Sequence, residues 1–243
     1  MMVRSESSMS GDVDTLDGAP STQRSLAYQG FRQQIIDARI RPGQFVSQRE
    51  LMKLLGMSLA AVREMVPRLE AAGLIRAVPK RGLQVAHVDM KLIRNAWQVR
   101  TMIEREATGH FVRTATPALI ESQIAAHQSV LDRALAPRPD GALEKDAQAV
   151  DWGLHDLMVD AIGNEILSEI YRVNSLHVRL IRFDAETLRP MQVVPAMREH
   201  LAFLKALAEG RSDEAVDRMM EHIENSKRRV IEVMMQTSAH RDG

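Results

Sequence analysis

Between residues 47 and 73, apolar positions recur at the spacing of two short helices joined by a tight turn. Ser47 and Glu50 have the spacing of a capping box at the start of the first helix, in which each side chain accepts a hydrogen bond from the other residue's backbone N–H. Gly56 should end this helix, and Ser58 can cap the second one. Two short helices joined by a glycine turn are typical of a helix-turn-helix.

After this motif the pattern changes to two short apolar runs, at residues 74–78 and 83–88. The four residues between them read PKRG, a turn sequence that carries the positive charges of Lys80 and Arg81. The sequence therefore predicts a β-hairpin wing with a basic tip. A helix-turn-helix followed by a basic wing is typical of proteins that read DNA.

Helical spacing of apolar residues also dominates the rest of the chain. A helix over residues 25–40 should pack behind the helix-turn-helix and complete its core. Caps and helix breakers after residue 89 predict six more helices, at residues 89–114, 117–135, 142–162, 165–183, 192–209 and 213–236. We therefore expect a mainly α protein with an N-terminal winged helix-turn-helix and a C-terminal all-helical antiparallel bundle.

The predicted organisation of the chain has four parts. Residues 1–22 are rich in Ser, Gly and Asp without periodicity, and we expect them to be a disordered tail. The DNA-binding domain should span residues 23–88, and the helical domain should span residues 89–237. Residues 238–243 should form a second, short tail.

Composition and charge narrow the function. The chain has 243 residues, of which 45% are hydrophobic and only 4% aromatic, so that its core should be aliphatic. The absence of cysteine excludes disulfides and thiolate metal ligands and fits a cytoplasmic protein, and no apolar run approaches the roughly 18 residues of a membrane helix. The net charge is zero, but residues 24–89 carry 11 Lys and Arg against 5 Asp and Glu, whereas residues 90–243 carry 20 against 23. The positive charge therefore lies where a phosphate backbone would bind.

Four residues of the helical domain are candidates for a metal site. Asp151 and His155 are four positions apart and share one helix face, and His200 and His222 lie on the apolar faces of two later helices. Neutral imidazoles and a carboxylate are good ligands for Zn²⁺, Ni²⁺ or Mn²⁺, and such a set leaves coordination positions open for water or a small molecule. The alternative for each histidine alone is a hydrogen-bonded residue of the core. We keep that interpretation for four others: His87, His110, His127 and His177.

The N-terminal motifs resemble the GntR family of bacterial transcription regulators. The resemblance covers residues 25–88 and consists of a helix, the segments IRPGQFVSQRELMKLLGMS and VREMVPRLEAAGLI, and a KRG wing, in that order. It implies that Arg49, Arg63 and Gly82 contact operator DNA. Arg63 also lies near the start of the second helix of the motif, where side chains reach base edges and an arginine suits the acceptor atoms of guanine.

The reading end of that second helix departs from the family pattern. It runs from Ser58, which is a further candidate for DNA contact, to Arg63, and its residues 59–61 read LAA where the family usually has an Arg, Thr or Pro-rich run, which removes polar base contacts. Pro67 falls inside the same helix and should kink or tighten it, because proline removes one helical hydrogen bond. Lys80 and Arg81 of the wing should contribute phosphate contacts.

The C-terminal segments resemble the FCD ligand-binding domain of FadR-like GntR regulators. The resemblance covers about residues 90–235 and includes DWGLHDLMVDAIGNEIL and MREHLAFLKALAEGRSDEAVDRMMEHI. It implies a divalent-metal site whose ligand positions match Asp151, His155, His200 and His222. It also implies that Arg100, in an R-x-x-x-E context with Glu104, holds the carboxylate of an effector; the alternative is a salt bridge between these two residues. Arg179 and Arg182 are further candidates for the same pocket.

These features together predict a cytoplasmic, homodimeric transcription regulator that binds palindromic operator DNA. A small carboxylate effector should bind at the metal, for which zinc is expected and nickel or manganese are alternatives. Two other functions stay open. One is a metal-dependent hydrolase or isomerase fused to a DNA-binding head, although the nearest candidate acids or bases, Glu165 and Glu199, should be exposed. The other is a purely structural metal site.

Overall fold

The computed structural model describes residues 19–36, 39–138, 141–184 and 190–241. Within these residues the chain forms nine helices and a three-stranded sheet. They are divided into an N-terminal winged helix-turn-helix and a C-terminal helical bundle, so the predicted fold class is confirmed. Residues 1–18 of the predicted N-terminal tail lie outside the described residues.

The bounds of both terminal helices differ from the prediction. Helix α1, Ala19–Ile36, includes residues 19–22, which the sequence analysis assigned to the N-terminal tail, and it ends before residues 39 and 40, which the predicted helix included. These four residues have no large apolar side chain, so periodicity could not reveal them, although Pro20 is compatible with the first turn of a helix. Helix α9, Ser212–Arg241, likewise includes residues 238–241 of the predicted C-terminal tail.

The helix-turn-helix consists of α2, Gln48–Leu55, and α3, Leu59–Ala71. The predicted capping box is present. Ser47 Oγ accepts a hydrogen bond from the backbone N–H of Glu50 at 3.1 Å, and Glu50 Oε2 accepts one from the backbone N–H of Ser47 at 2.6 Å. Gly56 ends α2 in the left-handed conformation, with a φ of 63°, which glycine adopts without strain.

Three strands form the antiparallel sheet of the wing. They are β1, Phe45–Val46, β2, Ile75–Val78, and β3, Gly82–Val85, in the order β1-β3-β2. Gly82 has a φ of 95°, and a Cβ atom there would lie 3.1 Å from the backbone oxygen of Val46. The wing therefore needs glycine at this position for the close approach of two strands, independently of any contact with DNA.

Six helices form the C-terminal bundle: α4, Met90–Thr114; α5, Pro117–Leu135; α6, Leu143–Asp160; α7, Glu165–Asp184; α8, Pro190–Ala208; and α9. Asp89 and Thr116 cap α4 and α5 through their side chains, at 2.7 and 3.3 Å. Trp97, Phe111 and Phe203 are fully buried between the helices and belong to one apolar core. In the part of the chain that the structure describes, no helix is long and apolar enough to cross a membrane.

Helix α7 belongs to the bundle but also packs against the winged domain. Its Leu176 and Leu180 are fully buried in the apolar core of that domain. The Nε2 atom of His177 lies 2.9 Å from the backbone oxygen of Ala72, the C-cap residue of α3. One helix therefore contacts both the second helix of the helix-turn-helix and the interior of the bundle.

Candidate metal centre

The four predicted metal ligands lie together inside the bundle. Asp151 and His155 are one turn apart on α6, and His200 and His222 reach the same point from α8 and α9. All four side chains are buried, and one potential ligand atom from each lies within 4.8 Å of the others. We call these four residues the metal group. Their function as ligands stays a prediction, but imidazoles and a carboxylate in this space could hold a divalent cation.

Two carboxylates lie behind histidines of the metal group. Glu104 Oε2 is 2.6 Å from Nδ1 of His155, and Glu199 Oε2 is 2.8 Å from Nδ1 of His222. Burial is the largest single influence on Glu104 and raises its pKa, but Arg100 and His155 together outweigh this effect and the pKa falls to about 2. Burial also raises the pKa of Glu199, but the hydrogen bonds and charges of His222 and Arg229 together outweigh it and lower the pKa to about 2. Both groups are therefore ionised at neutral pH and favour a proton on the facing Nδ1 atoms.

The spacing of the facing nitrogens fits one small cation. Burial lowers the pKa of His222 to about 4 despite its bond to Glu199, so the ring is neutral and presents a lone pair at Nε2. That atom lies 3.1 Å from Nε2 of His200, which in turn lies 3.8 Å from Oδ1 of Asp151. Two nitrogens bound to one Zn²⁺ at about 2.1 Å each would lie about 3.4 Å apart at the tetrahedral angle and about 3.0 Å apart at a right angle. The observed nitrogen–nitrogen distance of 3.1 Å lies between these values.

Arg100 lies directly beside the metal group. Its side chain is only 2% exposed; Nε donates to Oε1 of Glu104 at 2.6 Å, and Nη2 donates to Nε2 of His155 at 2.9 Å. The Tyr171 hydroxyl donates to the same Glu104 oxygen at 2.9 Å. The salt bridge that we considered as the alternative is therefore present. Arg100 also contacts His155, which is a candidate metal ligand. From here a guanidinium could also pair with the carboxylate of a small molecule.

The other two predicted effector residues are placed differently. Arg179 is buried, and its guanidinium carbon lies 4.1 Å from the ring centre of Trp152. The guanidinium carbon of Arg100 lies 5.3 Å from the centre of the same ring. Trp152 follows Asp151 in α6, so Arg179 is one aromatic ring away from the metal group. The side chain of Arg182 lies outside the described residues, and its role stays a prediction.

The sequence analysis was wrong about the exposure of Glu199. The side chain is 21% exposed, and besides His222 it binds Arg229, whose two terminal nitrogens donate to its oxygens at 2.7 and 3.0 Å. Glu199 precedes His200 at the edge of the apolar face of α8. It reaches α9 because the two helices pack side by side, which a one-helix pattern does not reveal. Glu165, the other candidate acid or base, is exposed as expected.

His127 also lies behind the metal group, although we interpreted it as an ordinary core histidine. It is fully buried on α5, and its Nε2 atom lies 3.1 Å from Nδ1 of His200. The signal that could have identified it is its helical spacing from Ile120 and Val130, which lie on the same buried face.

The predicted DNA contacts lie on the surface of the winged domain. Arg49 and Arg63 are exposed on α2 and α3, and Nε of Arg63 is 3.4 Å from Oε1 of Gln48. Ser58 caps α3, because its Oγ accepts from the backbone N–H of Ala61 at 3.2 Å. Their contacts with DNA are not visible in a single chain and stay predictions.

The rest of this surface shows two further features. Pro67 does not end α3, which continues as one helix from Leu59 to Ala71 with the proline on its exposed side. At the wing tip, Lys80 has a φ of 63°, and the guanidinium of Arg81 lies over the ring of Phe45, 3.9 Å from its centre. Both cations of the tip are exposed, as a phosphate-binding wing requires.

Comparisons with known proteins agree with this architecture. Residues 23–85 match the bacterial regulatory proteins of the gntR family, and residues 95–225 match the FCD domain. The chain belongs to the GntR regulators with an FCD domain. Both resemblances that the sequence motifs indicated are thereby confirmed, while the FadR-like branch stays a prediction.

Several relatives are similar along most of the chain. The identity is 26% over 215 residues to the HTH-type transcriptional repressor RspR of Escherichia coli strain K12, covering 87% of this chain and 90% of RspR. It is 22% over 200 residues to the Nta operon transcriptional regulator of Aminobacter aminovorans, covering 82% and 90%. The fold is similar to that of E. coli McbR/YncC, with a TM-score of 0.71 and 17% identity over 88% of this chain and 98% of that one.

The gntR family, RspR and the Nta operon regulator are transcription regulators and not enzymes. This GntR/FCD chain is therefore a transcription regulator, and the hydrolase or isomerase alternative loses its support.

Proposed function

We propose that this regulator is a homodimer that binds a palindromic operator, holds a divalent cation at the metal group and responds to a small carboxylate. The observation that carries the proposal is the metal group itself. Four buried polar side chains meet there, and a carboxylate oxygen lies within 2.8 Å of the outer nitrogen of two of its histidines. Burying so many polar groups opposes folding unless partners satisfy them, and a bound cation would satisfy their inward-facing atoms.

The charges around the metal group favour an anionic effector. Asp151, Glu104 and Glu199 contribute three negative charges, and Arg100 and Arg229 contribute two positive ones. A divalent cation would therefore leave a formal excess of one positive charge inside the bundle. When bound, such a cation would act as a Lewis acid toward a ligand oxygen, while Arg100 would pair with the remaining carboxylate oxygen.

The contacts of α7 support a route from the effector to the DNA-binding domain. Tyr171 on this helix donates to Glu104, which also binds Arg100 and faces His155. His177 on the same helix contacts the end of α3. A carboxylate that attracts Arg100 away from Glu104 would change the bond made by Tyr171, and α7 would pass this change to α3. The effector regulates only if it binds the two resulting forms unequally.

DNA binding would combine the two surface features of each winged domain. Arg63 at the start of α3 would read base edges, and Lys80 at the wing tip would contact phosphates. A symmetric dimer presents two such domains in opposite orientation, so its preferred site should be a palindrome. Because phosphate contacts release counterions, operator affinity should fall steeply as salt is raised.

The central experiment measures metal and effector binding on the purified protein. Elemental analysis should find a divalent cation in the wild type and lose it in the double variant His200→Ala with His222→Ala. Unchanged metal content in this variant would contradict the site. Candidate carboxylic acids should then raise the melting temperature without being turned over. Turnover would support the enzyme alternative, and bound metal without a response to any acid would support a structural site.

A further inference from the structure

We infer that His127 is a positioning residue for His200: it accepts the proton of His200 Nδ1 and thereby leaves a lone pair on the inward-facing Nε2 atom. The inference rests on the proposed metal site. It concerns a residue outside the metal group, on a helix that contributes none of its four ligands.

The hydrogen-bonding partners of His127 decide which of its nitrogens carries a proton. Its Nδ1 atom lies 2.7 Å from the backbone oxygen of Gln123. A carbonyl oxygen can only accept, so this nitrogen must donate. The ring is fully buried and neither nitrogen contacts a carboxylate, so the neutral form is favoured. A neutral ring with its proton on Nδ1 has an acceptor at Nε2.

That acceptor determines the proton position on His200. Nδ1 of His200 lies 3.1 Å from Nε2 of His127, and it must donate in this bond because the other atom cannot. The remaining nitrogen of His200 then carries a lone pair, 3.1 Å from the lone pair on Nε2 of His222. The opposite tautomer would place an N–H at this point, and His200 could not bind a cation there.

His127 also differs in charge from the groups that face the outer nitrogens of His155 and His222. Glu104 and Glu199 are carboxylates, whereas His127 offers an acceptor without a negative charge. A third carboxylate would cancel the excess positive charge that a divalent cation would leave in the bundle. His127 therefore orients His200 while preserving the positive charge that would attract an anionic effector.

The test compares Zn²⁺ and Co²⁺ binding by the wild type, His127→Leu and His127→Gln. Loss of an outer partner of a metal-binding histidine typically lowers metal affinity about 10–100-fold, which we expect for leucine. Glutamine can still accept through its side-chain oxygen and should restore most of the affinity. The d–d absorption of Co²⁺ should change in the leucine variant and return in the glutamine variant, which a merely structural role would not produce. His110→Leu, on α4 and outside the metal group, is the matched control and should bind as the wild type does.

The outcomes separate the inference from the proposed function. If the wild type binds neither Zn²⁺ nor Co²⁺, the proposed metal site fails, and the role of His127 fails with it. If the wild type binds both and His127→Leu binds them equally well with an unchanged Co²⁺ spectrum, only the role of His127 is overturned. Should the leucine variant not fold, nitrogen NMR of the Zn²⁺-bound wild type with ¹⁵N-labelled histidine decides. A proton on Nδ1 of His200 supports the inference, and a proton on Nε2 overturns it.

Discussion

Arg63 of the winged domain and Arg100 of the bundle carry the same guanidinium group in opposite surroundings. Arg63 is exposed and has one long contact, at 3.4 Å to Gln48, whereas Arg100 is 2% exposed and binds Glu104 at 2.6 Å. An exposed cation stays hydrated, contributes little to stability and is available for DNA. A buried one is tolerated only while its partners satisfy it, so that losing a partner is strongly destabilising. The DNA-reading surface can therefore change with little effect on stability, whereas the metal group and the fold depend on the same contacts.

The largest effect is expected for a substitution that removes one partner of a buried ion pair. Glu104→Gln keeps the shape of the side chain but removes its charge and leaves Arg100 buried without its anion. We expect it to lower the free energy of unfolding by about 3–5 kcal/mol, measured by urea denaturation.

Glu214→Gln is the matched control for Glu104→Gln. Glu214 also pairs with an arginine four residues away, Arg218, but the two side chains, on α9, are 38% and 46% exposed. The control should change the stability far less. Equal losses in the two variants would show that burial does not distinguish the two pairs.

Metal removal should give the next largest effect. A ligand that binds only the folded state at 100 times its dissociation constant stabilises it by about 2.7 kcal/mol, so a chelator should lower the melting temperature measurably. Asp151→Asn removes the anionic ligand of the metal group and should reduce this response to added Zn²⁺. Asp132→Asn, an exposed change on α5, should retain it. If Asp151→Asn responds to Zn²⁺ as fully as the wild type does, Asp151 is not a ligand.

Local patterns were sufficient to predict the helices and the inward positions of the metal group. The capping box at Ser47 and the glycine at Gly56 depend only on neighbouring residues, and both are observed as predicted. The spacing of Asp151 and His155 likewise depends on one helix. Periodicity failed at residues 19–22, where the helix has no large apolar side chains.

The partners of the metal group could not be predicted in the same way. Glu199 binds His222 across the packing of α8 on α9, and His127 binds His200 across that of α5 on α8. Periodicity shows which face of a helix is buried, but it does not show which side chain of a neighbouring helix lies opposite. Glu199 lies at the edge of an apolar face, where the sequence pattern alone indicates exposure.

On the exposed side of the comparison, Arg63→Ala should weaken operator binding by about 1–3 kcal/mol and relax the base preference at one position of each half-site. The measurement is a titration of the protein against its selected operator and single-base variants at fixed salt. Arg68→Ala is the control on the same helix, because its guanidinium lies over the ring of Tyr28 at 3.9 Å and is already paired with Glu169. Equal losses of base preference in both variants would contradict the predicted role of Arg63.

The smallest effect is expected for the ion pair between the winged domain and the bundle. Arg68 and Glu169 are 2.7 Å apart, yet their side chains are 43% and 45% exposed, so water and salt screen the attraction. A double-mutant cycle with Arg68→Ala and Glu169→Ala should give a coupling energy of about 0.2–1 kcal/mol that decreases in high salt. Between the same two domains, Leu176 and Leu180 are fully buried, so apolar packing and not this pair should hold them together. A salt-insensitive coupling energy well above that range would show that the pair is effectively buried, and that the contrast between exposed and buried charge does not hold at the domain boundary.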